Sequence, residues 1–220
     1  EKDLRGLAAG TYVDFELVRD GAATYARRIR VRQADNAIEQ DGQRVALEMP
    51  KEMVAIGAAV PDFTLTDSEG RPVALRELGA GRVLVVQFLY TRCPMPEVCP
   101  RLAATFARLQ RRFAGRADLA FLSITLDPVY DTAKVLSRYA RLWRGGENWR
   151  FVTGTESEIK SVAGRFGIVY WPEEGVITHT STIGIIGRDG RLRSRVEGLS
   201  FSAQQLGDLV GQILKEDENK

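Results

Sequence analysis

The chain has 220 residues, a mass of 24.4 kDa and a formal net charge of +2, from 31 Lys and Arg against 29 Asp and Glu. Hydrophobic residues make up 44% and charged residues 27%, enough apolar material for a core without disulfide staples and far from the composition of a disordered or collagen-like chain. No apolar run approaches the ~18 residues of a membrane-spanning helix, the balanced charge speaks against a nucleic-acid footprint, and two cysteines cannot build a secreted disulfide framework. With one histidine and two cysteines in the whole chain, the positions of these three residues carry weight. The chain opens on Glu1-Lys2-Asp3, which is no signal peptide; a mature or trimmed chain whose export or anchor signal has been removed is the expectation.

Residues 1–50 read as a small β-rich appendage. Tyr12 to Val18 alternates apolar and polar residues, Arg19 to Ala22 is turn chemistry, and Thr24 to Val31 reads as a second strand. Asp41-Gly42, flanked by Ile38 and by Val45-Ala46-Leu47, marks another turn between short strands. The main domain is expected from about residue 60 to 215. Phe63-Thr64-Leu65 and Val73-Ala74-Leu75 flank Asp67 to Gly70 as a hairpin, and Val83 to Tyr90 is a near-continuous apolar strand of the kind covered on both faces. Pro100 sits just inside a helix running to about Phe113, with Leu102, Phe106, Leu109 and Phe113 on one face. Leu119 to Thr125 is a second buried strand, Asp131 the expected N-cap of a helix from Thr132 to Leu142, and Arg150 to Val152 a short strand. Glu156 to Phe166 is a helix that Gly167 stops. Thr182 to Ile186 and Leu192 to Val196 form a hairpin about Gly187 to Gly190. Ser202 caps a last helix to about Leu214, and Glu216 to Lys220 is a charged tail expected to fray. Strands alternating with helices, closed by a hairpin and a helix, fit an α/β sandwich of thioredoxin-like type, a central mixed sheet flanked by helices.

Cys93 and Cys99 lie directly after the strongest strand, in Thr91-Arg92-Cys93-Pro94-Met95-Pro96-Glu97-Val98-Cys99-Pro100. Open α/β sheets place their sites at such strand ends. Cys99 falls at a helix N-terminus, where the dipole favours a thiolate, and Arg92 and Arg101 add positive charge. The bland alternatives are two buried structural cysteines or an inert disulfide. His179 stands in Ile177-Thr178-His179-Thr180-Ser181, read as a polar loop before a strand, where a histidine is often unremarkable. Two thiolates and an imidazole would make a soft three-coordinate site suited to Cu(I) or Zn; the ligand types alone do not choose between them. Asp127, followed by Pro128, reads as a strand-ending turn residue, and Arg111 and Arg112 as a solvated helix face.

Here the residues carry a specific resemblance. Phe88 to Pro94 and Cys99-Pro100 resemble the cysteine loop of the SCO/SenC family of thioredoxin-like copper proteins. Pro61-Asp62-Phe63-Thr64-Leu65, Ser123 to Pro128 with Asp131-Thr132, Trp149 to Gly154, and His179-Thr180-Ser181 are similar to further stretches of that family, so the likeness spans about residues 60–214. It implies that Cys93, Cys99 and His179 bind copper, as Cu(I) or Cu(II), in a metallochaperone for the binuclear copper centre of cytochrome c oxidase. The partner would be the copper-site subunit of that oxidase or another copper or thiol protein, and the location periplasmic or otherwise extracytoplasmic, with a membrane anchor in the full-length protein. Some family members act instead as thiol–disulfide reductants, which would make Cys93 and Cys99 the catalytic residues of an oxidoreductase. A peroxiredoxin reading is disfavoured because Tyr90 stands where such enzymes place a Thr. More faintly, Leu4-Arg5-Gly6-Leu7, Gly10 and the Val13, Phe15, Leu17 alternation resemble part of a CusF-like copper-binding barrel.

Two features depart from the family pattern. Five residues rather than three separate the cysteines, and Thr178 replaces the usual Asp before the histidine. Pro94 and Pro96 stiffen the wider loop, and Met95 between them is either a weak thioether ligand or an apolar loop residue. The loop is expected to bulge over the site, and the lost carboxylate to leave the imidazole without an orienting partner.

Overall fold

The structure is a computed structural model; it describes residues 13–21, 23–31, 37–40, 43–46, 50–145, 148–173 and 175–218. The chain divides into two compact units, Glu1–Met49 and Pro50–Lys220. In the first, β1 (Val13–Asp20) pairs antiparallel with β2 (Ala23–Val31) around Gly21, whose φ of 59° suits a residue without a Cβ. A bulge between Asp14 and Glu16 interrupts the ladder, and Glu16 meets Arg28 at 2.7 Å. β3 (Ala37–Gln40) pairs with β4 (Gln43–Ala46). The Leu4-to-Gly10 stretch, Tyr12, Ala22 and the Asp41-Gly42 turn lie outside the described residues.

The second unit begins at Pro50, earlier than Val60, because the segment before β5 is bonded to it. Val54 N–H donates to Arg165 O at 2.9 Å, Gly57 N–H to Leu192 O at 2.7 Å, and Val54 is buried. β5 (Thr64–Asp67) and β6 (Pro72–Ala74) form the expected hairpin, followed by a four-residue helix, α1 (Leu75–Leu78), too short to leave a sequence signal. Then come β7 (Val83–Leu89), α2 (Cys99–Arg112), β8 (Leu119–Thr125), α3 (Ala133–Leu142), β9 (Trp149–Thr153), α4 (Glu156–Arg165), the hairpin β10 (Tyr170–Glu173) and β11 (Val176–His179), the hairpin β12 (Thr182–Ile186) and β13 (Leu192–Glu197), and α5 (Ala203–Glu218).

Seven strands make one mixed sheet in the order β13-β12-β7-β8-β9-β5-β6, with β7, β8 and β9 parallel and the outer pairings antiparallel. All seven residues of β7 are buried. Its alternate side chains face two separate cores: Val83, Val85 and Leu89 meet α2, α3 and α5, whereas Leu84, Val86 and Phe88 meet α1 and α4. Helices on both faces explain why this strand reads as an unbroken apolar run. Its one polar residue, Gln87, bonds sideways through its amide N–H, donating to Ser123 Oγ at 2.8 Å, which also accepts from Trp149 Nε1 at 2.9 Å, while Gln87 Oε1 is left without a partner.

Three sequence expectations need correction. Asp131 does not cap α3; Thr132 does, accepting from Val135 N–H at 3.4 Å, one residue later, which frees the Asp131 carboxylate for another task. α5 runs on to Glu218, so residues 216–218 are helix rather than frayed tail: the nearly buried Asp217 carboxylate takes two guanidinium hydrogen bonds from Arg193 and the Arg188 N–H. Arg112 is not a bare solvated side chain; it reaches across to α5, bonding Gln204 O at 3.1 Å and Asp208 at 2.5 Å.

Phe166, at the end of α4, is fully buried against Phe88 with ring centroids 5.4 Å apart, and Gly184 of β12 leaves the room for it. A Cβ at Gly184 would stand 2.5 Å from the Phe166 ring. Gly184→Ala should therefore destabilise the protein by about 1–3 kcal/mol through overpacking, measured as a shift in the denaturant midpoint at unchanged m-value; an unshifted midpoint would show that the ring can yield.

Candidate metal centre

The cysteine loop leaves the sheet where β7 ends. Leu89 is still paired with Thr125, and Tyr90 is buried. Cys93 N–H then turns back onto Tyr90 O at 3.3 Å. Pro94 to Glu97 are exposed, with Met95 58% exposed, so the inserted residues do project outward. The Met95 carbonyl accepts from Val98 N–H at 3.1 Å and stands 3.8 Å from Cys93 Sγ. α2 starts at Cys99, and Pro100 in its first turn costs nothing because no intrahelical acceptor exists there for its missing N–H. Cys99 is completely buried among the α2 core residues, and Cys93 is half-buried; both are free thiols.

His179 is not in a loop. It is the last residue of β11, paired with Tyr170, in a short hairpin turning at Gly175. The isolated hairpin escaped sequence reading because Pro172 and Gly175 mask its alternation. Thr180 ties the strand end down: its N–H donates to Val169 O at 2.9 Å and its Oγ1 accepts from Val169 N–H at 3.0 Å. Tyr90 adds a clamp from β7, its hydroxyl accepting from Ile177 N–H at 3.4 Å and its ring standing edge-on to the imidazole at 6.0 Å.

This framework brings His179 Nε2 to 3.8 Å from Cys99 Sγ, although 80 residues separate them in sequence. The tautomer follows from the other ring nitrogen. Nδ1 lies 2.9 Å from Thr180 O, and a carbonyl can only accept, so Nδ1 carries the proton and Nε2 keeps its lone pair toward the sulfur. The backbone thus supplies the orienting contact that the missing carboxylate was expected to supply. Thr178 donates instead to Glu173 at 2.7 Å, and consecutive residues of a strand face opposite ways, so that carboxylate lies on the face away from the imidazole.

The expected thiolate at the helix N-terminus is overturned. Burial raises the Cys99 thiol well above its ordinary value, and the hydrogen bond and charge of Cys93 and the charge of Asp131 push the same way; only a hydrogen bond from the Tyr90 backbone opposes them. The two arginines bring no relief. Arg92 pairs with Asp127 at 2.6 Å and Arg101 donates to Phe201 O at 2.9 Å. Tyr90 is likewise pushed up to about 12, chiefly by burial. His179 is held below the usual imidazole value by burial, with the Thr180 hydrogen bond working against it. At neutral pH the pair is therefore a thiol facing a neutral imidazole. Among the described residues, no three His, Cys, Asp or Glu side chains form a set that could hold a metal ion as they stand. Cys99 faces His179, and Cys93 packs against the same core beside Cys99.

Sequence reading missed what holds the loop. Asp127, taken as a turn residue, makes that turn by accepting from Tyr130 N–H and Asp131 N–H, and its carboxylate also grips Arg92. Asp131, taken as a cap, accepts from the backbone and hydroxyl of Thr91. The available signal was the Asp127–Asp131 spacing at the end of a strand parallel to β7.

A mixed α/β sandwich with a thiol–imidazole pair at the C-terminal end of its central parallel strand defines a thioredoxin-like protein with a soft-metal or thiol-redox site. The chain belongs to the SCO1/SenC family, whose profile matches residues 53–214. It is 32% identical over 146 residues to the SCO1 protein homolog of Bacillus subtilis, covering 64% of this chain and 74% of that one. The solved structure of BsSco, described as having a disulfide switch and as a member of the Sco family of cytochrome c oxidase assembly proteins, superposes with a TM-score of 0.61 at 27% identity, over 71% of this chain and 94% of that one. Copper-bound ScoI of Arabidopsis thaliana shares the fold with a TM-score of 0.64 at 22% identity, over 72% and 99% of the two chains.

The buried imidazole has a consequence for stability. An unfolded histidine titrates near ~6.5, and the folded one lower. Above that pH neither state binds the proton; below it the unfolded chain takes it up first, so stability falls as pH drops. Asp131, whose carboxyl burial pushes up, acts in the opposite sense. Subtracting the Tm profile of His179→Gln from that of the metal-free protein should isolate a loss that grows from pH 6.5 toward 5. A flat difference would mean that the imidazole takes up its proton as readily in the fold as in the unfolded chain.

Proposed function

We propose that this protein binds copper through Cys93, Cys99 and His179 and delivers it to the binuclear copper centre of a cytochrome c oxidase, working on the extracytoplasmic side of a membrane. No helix among the described residues is long and apolar enough to cross a membrane. The observation that carries the reading is the 3.8 Å approach of His179 Nε2, lone pair free, to Cys99 Sγ. Soft thiolates with an imidazole suit Cu(I), and the family provides the context of oxidase assembly. A metal-free dithiol couple has no need of the imidazole that faces Cys99, which sets the oxidoreductase reading second.

Capture costs a proton. The ion must displace the Cys99 hydrogen, so apparent affinity should rise with pH by about one decade per unit from this thiol alone. Oxidation of both thiols to a disulfide, with two protons released and two electrons passed to a disulfide-class oxidant, removes both sulfur ligands and should discharge the metal.

The reduced protein should take up about one Cu(I) in competition with a chromophoric chelator. His179→Ala should lower that affinity by at least about tenfold, since loss of a ligand should cost no less than loss of an outer-shell partner. The oxidised protein should bind almost none. Equal uptake by reduced and oxidised protein, or an unaffected His179→Ala variant, would sink the proposal.

A further inference from the structure

Asp131 is completely buried and has no task in its own helix. Its Oδ2 accepts from Thr91 N–H at 3.0 Å and from Thr125 Oγ1–H at 2.6 Å, and its Oδ1 accepts from the Thr91 hydroxyl. Two of these three bonds come from one residue, through its backbone and its side chain together, so they fix both the place and the orientation of Thr91. Thr91 lies beyond the last β7–β8 pair, Leu89 with Thr125, and two residues before Cys93. Arg92 is held from the same side, by Asp127 at 2.6 Å and by the Tyr130 ring 4.8 Å beneath its guanidinium. After Cys93 the loop is exposed through Glu97. Cys93 therefore stands at the boundary between a bracketed segment and a projecting one. Burying a carboxylate whose hydrogen-bond partners are hydroxyl and amide donors is costly, and here it serves the root of the cysteine loop.

We propose that Asp131 is a positioning residue for the copper site: by gripping Thr91 it sets where Cys93 stands relative to Cys99 and His179. This rests on the copper reading above, in which Cys93 is the third ligand beside Cys99 and His179. With Thr91 released, Cys93 loses its fixed pivot and the closed three-ligand geometry must be paid for in loop entropy.

The test compares Asp131→Ala, Asp131→Asn and Thr125→Val. One readout is Cu(I) affinity of the reduced protein against a chromophoric chelator; the second, on copper-free protein, is the midpoint potential of the Cys93–Cys99 couple in a glutathione buffer. Asp131→Ala should weaken Cu(I) binding by about tenfold or more and shift the potential. Asp131→Asn keeps an oxygen for the Thr91 N–H and offers an N–H to its hydroxyl, so it should recover most of both. Thr125→Val removes the one Asp131 bond that does not reach the loop, together with the Asp127 N–H bond to the same hydroxyl; it should lower Tm and leave affinity and potential near wild type. A folded Asp131→Ala with wild-type affinity and potential would overturn the proposal, as would a Thr125→Val that weakens copper equally. Should Asp131→Ala fail to fold, Thr91→Val removes only the hydroxyl bond: a loss of about threefold or more supports the proposal, and no loss overturns it. If wild type itself holds no Cu(I), the copper reading falls, and the potential of Asp131→Ala still decides whether Asp131 places Cys93.

Discussion

Burial of β7 on both faces is the constraint from which the site follows. A strand sealed by α2, α3 and α5 on one side and by α1 and α4 on the other offers no side chain to solvent along its length. Chemistry can leave it only at its end, and its parallel neighbours β8 and β9 bring their own ends to the same edge. The cysteine loop, the Asp127–Asp131 turn and, through Tyr90, the His179 strand all meet there. The opposite edge is specialised differently. Ile186 pairs with Leu84, so the hairpin carrying Arg188 emerges beyond the start of β7, where Asp118, Arg116 and Glu218 join it in a chain of ion pairs and the Asp217 carboxylate accepts from the Arg188 N–H. The most buried member, Asp217 with Arg193, anchors the C-terminal helix. One edge of the sheet is stapled, and the other carries the candidate ligands.

At Cys99 two electrostatic effects compete, and magnitude decides. A helix N-terminus offers a fraction of a unit charge within one turn. Complete removal from water penalises the charged sulfur far more, and the neighbouring Cys93 and Asp131 add to the penalty. The same desolvation keeps His179 neutral. The outcome suits a carrier. In the proposed copper site an arriving cation would displace the Cys99 proton, so its own charge would supply the compensation that neither the helix nor the arginines give.

The wide spacer between the cysteines acts on one ligand only. Cys99 is locked by the helix and its core contacts, and His179 by Thr180 and Tyr90. Only Cys93 stands beside exposed residues, held on its N-terminal side by Thr91 and Arg92. Of the three candidate ligands, Cys93 is thus the one that borders the exposed spacer.

Most of the layer order could be read from residue pattern alone, because buried parallel strands, turn glycines and capping residues leave local signals; Thr155 with Glu158 and Ser202 with Gln205 cap their helices from within four residues. The β10–β11 hairpin left no such signal, being four residues a side and broken by Pro172. The identity of the three candidate ligands was equally legible, since soft-metal chemistry restricts the choice to the few residues able to perform it. What neither pattern nor spacing could reveal was their relation: that His179 Nε2 rather than Nδ1 faces Cys99, that a backbone carbonyl replaces the missing carboxylate, that Cys99 stays protonated, and that Asp131 grips the cysteine loop instead of a helix end. Each of these depends on groups brought together from distant parts of the chain. Hydrogen-bond direction, desolvation and charge proximity act over a few ångströms in space, whatever the separation along the sequence, and only the fold sets those distances.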